Sequence, residues 1–198
     1  MTAQDLRQDD LLDQALGLVT RVHRDIPTHL QGPSLTFWVF HVIRDYARSL
    51  QAGGSRHSAA MPDLLAEAAE LERAVGPIDM VFGHNDLLPA NFMHDGARMW
   101  LVDWDYAGWG SPLFDLGGLA ANCALSQRQE ERMLIGYFGA LDADLWRRYL
   151  AMKAAAALRE TLWSMVSELH SALDFDYAAY SAANLSTYRL ALDALRHA

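Results

Sequence analysis

The stretch from residue 81 to residue 105 constrains the fold of this chain more than any other part of its sequence. Two apolar residues lead into a polar loop, and a second apolar run follows over residues 99 to 102. The dipeptide Asp95-Gly96 lies between the two halves, and Asp-Gly between apolar runs is a strong signal for a β-hairpin. The sequence therefore predicts one small hairpin here, with a two-residue turn at Asp95-Gly96.

Polar side chains meet at the open end of this predicted hairpin. A two-residue turn places Asn91 opposite Trp100, so Asp103 lies farther along the strand by roughly 10 Å. Amide and carboxylate oxygens are the ligands that Mg²⁺ takes in proteins. We therefore expect a magnesium site formed by Asn91 and Asp103, with Asp105 as a further ligand or as a support behind them.

The spacing of three polar residues in the loop indicates a chemistry for this site. His84, Asp86 and Asn91 follow the pattern His-x-Asp-x4-Asn, and the kinase catalytic loop separates its catalytic Asp from its metal-binding Asn in the same way. Phosphoryl transfer to a hydroxyl needs a carboxylate that orients the hydroxyl and accepts its proton, together with Mg²⁺ held by an Asp and an Asn. Asp86 is then the candidate base, and His84 is expected to brace the catalytic loop. The alternative is an Asx-rich turn around a buried histidine.

The rest of the chain has the periodicity of helices. Apolar spacing, caps and Gly or Pro breakers predict helices over residues 9–24, 34–50, 62–75, 113–124, 127–140, 142–170 and 174–196. Ser34 is the expected cap of the second helix, and residues 106–112 are expected to be irregular. We see no repeat and no linker, so the sequence predicts one domain over residues 1–198, mainly α with one small β-hairpin (an α+β fold).

Charge and composition narrow the partners. A formal net charge of −9 disfavours a nucleic acid and suits a cationic small molecule. No stretch approaches the length of an uncharged apolar span, and the first ten residues lack a signal-peptide core, so we expect no membrane partner. The single cysteine, Cys123, excludes an internal disulfide and suits a reducing cytoplasm. The oligomeric state stays open, with a homodimer as one option.

Several motifs together resemble one enzyme family. Gly83-His-Asn-Asp-Leu-Leu-Pro-Ala-Asn91, then Leu101-Val-Asp-Trp-Asp-Tyr-Ala-Gly108 and Pro112-Leu-Phe-Asp-Leu116 are similar to the choline/ethanolamine kinase family, including its bacterial choline kinases. Residues 158–166 and 174–180 resemble that family's C-terminal tryptophan-containing helix and the segment after it. The family belongs to the aminoglycoside phosphotransferase group, which has a protein-kinase-like fold.

The resemblance implies an ATP- and Mg²⁺-dependent transfer of phosphate to a small amino alcohol, choline or ethanolamine. Asn91 and Asp103 would hold Mg²⁺ with the nucleotide, and Asp115 would order the loop. Trp163 matches a tryptophan implicated in choline binding, whereas a second family tryptophan is Glu160 here.

Helical geometry gives a partly independent interpretation of the same residues. It places Trp163 on the flank of the apolar stripe beside Glu160, and a tryptophan face next to a carboxylate suits a quaternary ammonium. The alternative is that Trp163 packs on a neighbouring helix. Tyr106 and Trp109 are weaker candidates for the amine site.

The nucleotide-binding features of a kinase are missing from these 198 residues. A kinase of this group needs a glycine-rich loop and a lysine on a strand, but the only lysine, Lys153, falls in a predicted helix. The sequence therefore resembles the C-terminal helical lobe, with the N-terminal ATP lobe absent and implied as a missing partner. We expect weak or no activity from this chain alone. The alternatives are a kinase for an aminoglycoside, thiamine or a sugar, or a non-catalytic binding module with this fold.

Overall fold

The computed structural model describes all residues from 1 to 198, and they fall into two compact units. The first unit contains residues 1–37 and 77–146, and the second contains residues 38–76 and 147–198. The helices are α1 (Ala3–Leu6), α2 (Asp9–Asp25), α3 (Val39–Ala52), α4 (Met61–Val75), α5 (Pro112–Cys123), α6 (Gln127–Phe138), α7 (Ala143–His170) and α8 (Tyr177–Arg196). The strands are β1 (Val81–Gly83), β2 (Phe92–His94), β3 (Met99–Leu101) and β4 (Gly108–Gly110). The chain is thus mainly helical with two small antiparallel sheets, and the prediction of a single domain stays a prediction.

Local sequence signals account for most of the helices. Ser111 caps α5 by accepting a hydrogen bond from the backbone N–H of Leu113, and Ser126 forms a capping box with Gln129 at the start of α6. Gly139, with a φ of 84°, ends α6 in the left-handed conformation. None of the helices combines the length and the apolar character that spanning a bilayer requires.

The start of α3 differs from the prediction. The helix begins at Val39, and Ser34 does not cap it. The Oγ of Ser34 instead accepts a hydrogen bond of 2.6 Å from the indole N–H of Trp109. The segment before the helix is extended because its backbone bonds to β4: Phe37 N–H donates to the Trp109 carbonyl, and Trp109 N–H donates to the Leu35 carbonyl, both at 2.8 Å.

The predicted hairpin is present, but the predicted strand register differs from the observed one by two residues. β2 and β3 pair with Met93 opposite Trp100, which places Asn91 next to Val102 rather than opposite Trp100. The two-residue loop is residues 96–97, because Asp95 N–H bonds to the Arg98 carbonyl at 3.2 Å. The Asp95 carboxylate accepts the backbone N–H groups of residues 97 and 98, so it belongs to the closing pair rather than to the loop.

A second sheet, absent from the sequence prediction, joins β1 to β4 with Phe82 opposite Trp109. Its glycines explain why residues 106–112 were predicted to be irregular, since glycine is a poor strand former. The structure needs them, because a Cβ at Gly108 would lie 2.6 Å from the Leu35 carbonyl oxygen and one at Gly110 would lie 2.7 Å from that of Phe37. The extended segment before α3 therefore packs directly on β4.

Candidate active site

The polar loop between β1 and β2 brings two of the predicted site residues together. A short 3₁₀ turn over Pro89–Asn91 precedes β2, and Asn91, the last residue of this turn, is buried. The side-chain amide of Asn91 donates to the backbone carbonyl of Asp86 at 2.9 Å and approaches its carboxylate at 3.4 Å. The candidate base and the candidate metal ligand are therefore neighbours, and their contact uses the NH₂ group of Asn91 rather than its side-chain oxygen.

A buried carboxylate on α5 holds the start of the same loop. Asp115, only 1% exposed, accepts the backbone N–H of His84 at 2.8 Å with one oxygen and that of Asn85 at 2.7 Å with the other. Both acceptors are engaged with backbone, and hydrogen bonds to a charged acceptor are the strong ones. The prediction that Asp115 orders the loop is confirmed.

His84 supports the loop from within. Its ring is fully buried, its Nε2 lies 2.9 Å from the Val102 carbonyl, and its edge packs against the ring of Trp104 at 4.9 Å between centroids. Because a carbonyl only accepts, Nε2 carries the proton and donates it to this bond. His84 thus ties the loop between β1 and β2 to the residue after β3, and its part in an active site stays a prediction.

Asn85 is a loop residue that sequence reasoning missed. It holds a φ of 62°, in the left-handed region, and its side-chain amide donates to the carbonyls of Tyr106 at 3.0 Å and Gly108 at 3.2 Å. Asn is among the few non-glycine residues that tolerate this conformation. The only signal for it was the residue type, an Asn between His84 and Asp86. Its hydrogen bonds join the loop to the start of β4.

The corrected hairpin register places the candidate metal ligands closer together than predicted. Val102 N–H donates to the Asn91 carbonyl at 3.0 Å, so Asp103 directly follows the partner of Asn91, one residue beyond it rather than three. Asp103 is exposed and holds a φ of 64°, and Asp105 is also exposed.

These donors suit a hard cation that brings some of its own ligands. Among residues 1–198, no three His, Cys, Asp or Glu side chains are grouped so that they could hold a metal ion. Mg²⁺ is commonly held by one or two protein carboxylates, with water and substrate phosphates completing its shell. The Asn91 oxygen and the Asp103 carboxylate fit that chemistry, and their assignment as ligands, with Asp105 behind them, stays a prediction.

An aromatic cluster with a carboxylate is present in the second unit, and it contains two of the four residues predicted for the amine site, Trp163 and Glu160. Half-buried Trp163 packs edge-on against Tyr177 and Tyr180, at 6.3 and 6.4 Å between ring centroids. Phe175 packs on the same two tyrosines at 4.9 and 5.7 Å. Glu160 joins the cluster by accepting a 2.9 Å hydrogen bond from the Tyr180 hydroxyl. The two tyrosines and Phe175 were missed, although they lie in the motif of residues 174–180.

The charge of the Glu160 carboxylate is partly compensated within the protein. Its second oxygen accepts a 3.0 Å hydrogen bond from buried Arg159. The aromatic faces therefore supply much of the attraction that the cluster can offer to a cation.

Tyr106 and Trp109 take part in the small sheet. Trp109 packs edge-on against Phe82 at 6.1 Å and bonds to Ser34, and Tyr106 packs against Phe37 at 6.3 Å. Their assignment to the amine site stays a prediction.

A mainly helical chain with a short hairpin, and a loop in which Asn91 hydrogen-bonds to Asp86, is typical of the helical lobe of a kinase-like phosphotransferase. The chain belongs to the phosphotransferase enzyme family, whose model matches residues 2–158.

Relatives within that family confirm the resemblance to choline and ethanolamine kinases. Protein LicA of Haemophilus influenzae is 30% identical over 103 residues, which cover 51% of this chain and 30% of LicA. Human ethanolamine kinase 2 is 24% identical over 130 residues, covering 55% of this chain and 34% of that protein. A choline/ethanolamine kinase family protein from Mesorhizobium loti superimposes with a TM-score of 0.82 at 27% identity, covering all of this chain and 71% of that one. The match thus spans about a third of the curated relatives' length.

Proposed function

We propose that this chain is the catalytic and acceptor-binding part of an ATP- and Mg²⁺-dependent phosphotransferase that acts on the hydroxyl of a small amino alcohol, choline or ethanolamine. The observation that carries the proposal is the loop in which buried Asn91 hydrogen-bonds to Asp86 while Asp115 holds the loop backbone. This arrangement presents one carboxylate in a fixed position, as a base for a hydroxyl requires.

Each protein group has a distinct part in the proposed reaction. Asp86 orients the acceptor hydroxyl and accepts its proton, and His84 and Asp115 keep the loop in place. Asn91 and Asp103 would hold Mg²⁺, which neutralises charge on the transferring phosphate when it is bound.

The amine site is the aromatic cluster around Trp163. Quaternary ammonium ions bind over aromatic faces within about 6 Å of a ring centre, and the cluster offers the rings of Trp163, Phe175, Tyr177 and Tyr180 beside the Glu160 carboxylate. The names of the relatives, which include ethanolamine kinases and a choline/ethanolamine kinase family protein, support an amino alcohol as the acceptor.

Choline binding to Trp163→Ala tests the acceptor assignment. A cation–π contact contributes about 1–2 kcal/mol, so removal of the indole should weaken choline binding by about 5–30-fold, as measured by isothermal titration calorimetry. The matched control is Trp100→Ala, since Trp100 is exposed and stacks on Arg98 in the hairpin. Equal choline affinity in both variants would contradict the assignment. Binding of an aminoglycoside in place of choline would instead favour a kinase that acts on aminoglycosides.

Phosphate transfer tests the role of Asp86. We propose that these 198 residues alone transfer phosphate from ATP slowly or not at all, because their one lysine, Lys153, lies in α7 and not on a strand. Any transfer that is measured should fall by about 100-fold or more in Asp86→Asn, while choline affinity stays within about twofold of wild type. Rapid transfer by the unmodified chain would refute the proposal that these residues alone are nearly inactive. Transfer by Asp86→Asn at the wild-type rate would refute the role of Asp86 as the base.

A further inference from the structure

A buried histidine on α2 belongs to the anchor of the catalytic loop although it is far from the loop in sequence. His23 is 3% exposed, and the sequence places it simply on the apolar face of α2. In the structure its Nε2 lies 2.9 Å from the same Asp115 oxygen that accepts the His84 N–H. Its Nδ1 lies 2.7 Å from the hydroxyl of Tyr137, on α6. The imidazole is therefore held at both nitrogens.

The direction of the first of these bonds follows from the Asp115 carboxylate. A carboxylate oxygen that already accepts a backbone N–H accepts from the imidazole too, so His23 Nε2 carries a proton and donates it. Tyr137 fixes the plane of the ring from the other side, with its own ring edge-on at 5.5 Å. Burial raises the pKa of Tyr137 to about 12, so its hydroxyl remains protonated near neutral pH.

The fixed imidazole restricts how the Asp115 carboxylate can rotate. Each oxygen of Asp115 faces one of two successive backbone N–H groups, and only one orientation of the carboxylate plane allows this. A third donor, His23, bonds to one of those oxygens in the same orientation. The backbone that this carboxylate holds is left-handed at Asn85, whose φ is 62°, and such a sparsely populated conformation persists only where its surroundings hold it.

We propose that His23, held by Tyr137, is a positioning residue for the loop that carries Asp86, and that it acts by fixing the rotation of the Asp115 carboxylate. The link to catalysis rests on the function proposed above, whereas the link to loop geometry does not. An apolar side chain on α2 would fill the same space but would remove one of the three donors to Asp115.

Amide hydrogen exchange at residues 84 and 85, followed by NMR, tests the proposal directly. In His23→Leu we expect both amides to exchange about 10-fold faster, since a hydrogen bond to a charged group is lost next to theirs. His23→Gln provides a donor at a position close to that of Nε2 and should return both rates to within about threefold of wild type. Tyr137→Phe removes only the hydroxyl and should have an intermediate effect. The matched control His29→Leu changes an exposed histidine and should leave both amides unchanged.

The outcomes separate positioning from a general loss of stability. Faster exchange at residues 84 and 85, with amides in the middle of α2 unchanged and with rescue by His23→Gln, supports the proposal. Uniformly faster exchange across the first unit without rescue overturns it, as does unchanged exchange at both residues. If His23→Leu fails to fold, Tyr137→Phe and His23→Gln still decide between these outcomes.

The failure of the proposed function would be visible separately. Choline binding that does not respond to Trp163→Ala would refute that function without affecting the exchange result. Where transfer is measurable, Tyr137→Phe should lower kcat and leave the choline KM within about twofold.

Discussion

Replacement of Asp115 by asparagine would test the loop anchor with almost no change of shape. In the native chain one oxygen of Asp115 accepts from His84 and His23, and the other accepts from Asn85. Asparagine keeps one oxygen, and its best orientation places that oxygen where two donors meet. Its NH₂ group then faces the Asn85 N–H, which in the native chain lies 2.7 Å from its acceptor.

The magnitude follows from that mismatch. The variant loses one hydrogen bond to a charged acceptor, worth about 1.5–3 kcal/mol, and leaves one buried N–H without an acceptor, which costs about 1–3 kcal/mol. Removal of a buried negative charge offsets part of the sum. We therefore expect the free energy of unfolding to fall by about 3 kcal/mol, a large fraction of the stability of a typical domain.

Urea unfolding followed by far-UV circular dichroism measures this loss. With a denaturant slope of about 2 kcal/mol per molar, the midpoint should fall by about 1.5 M. The matched control is Asp79→Asn at an exposed position, which should stay within about 0.5 kcal/mol of wild type. If both variants unfold at the same urea concentration, Asp115 does not hold the loop in the way described.

Two further predictions concern other parts of the first unit. Gly108→Ala places a Cβ 2.6 Å from the Leu35 carbonyl oxygen and should lower the free energy of unfolding by about 1–3 kcal/mol. The control Gly118→Ala, in α5 with open space around it, should raise it by about 0.5–1 kcal/mol. Thermal unfolding midpoints in the opposite order would contradict the packing of the extended segment on β4. Burial raises the pKa of the Cys123 thiol to about 12, above its usual value near 8.5, so iodoacetamide at pH 8 should label it far more slowly in the native chain than in urea. For the same reason Cys123 favours the folded state below about pH 9, and that contribution is lost as the pH rises towards 12; equal labelling rates in the two states would refute the burial.

The helices were predictable because their signals are local. The apolar stripe of α2 and the caps of α5 and α6 lie within the elements that they define, so a single sequence reveals them. The spacing of His84, Asp86 and Asn91 was also sufficient to predict the loop, since all three residues lie in the short segment between β1 and β2.

The remaining features depend on partners that are distant in sequence. Ser34 has the chemistry of a helix cap, but hydrogen bonds to β4 hold the segment that it begins, and α3 starts later. The glycines of β4 signal a loop until the backbone that packs on them is known. The third donor to Asp115 comes from another helix, and no local pattern indicates it.

The backbone conformation at Asp103 restricts which acidic residue can occupy that position. Chemically, a glutamate would offer the same carboxylate to a cation. At a φ of 64°, however, most side chains are disfavoured by roughly 1–2 kcal/mol, whereas a short Asp is among the few that are tolerated. An exchange of aspartate for glutamate, normally the mildest of substitutions, is therefore not a conservative change at residue 103. The turn of the main chain thus favours aspartate there independently of any ligand.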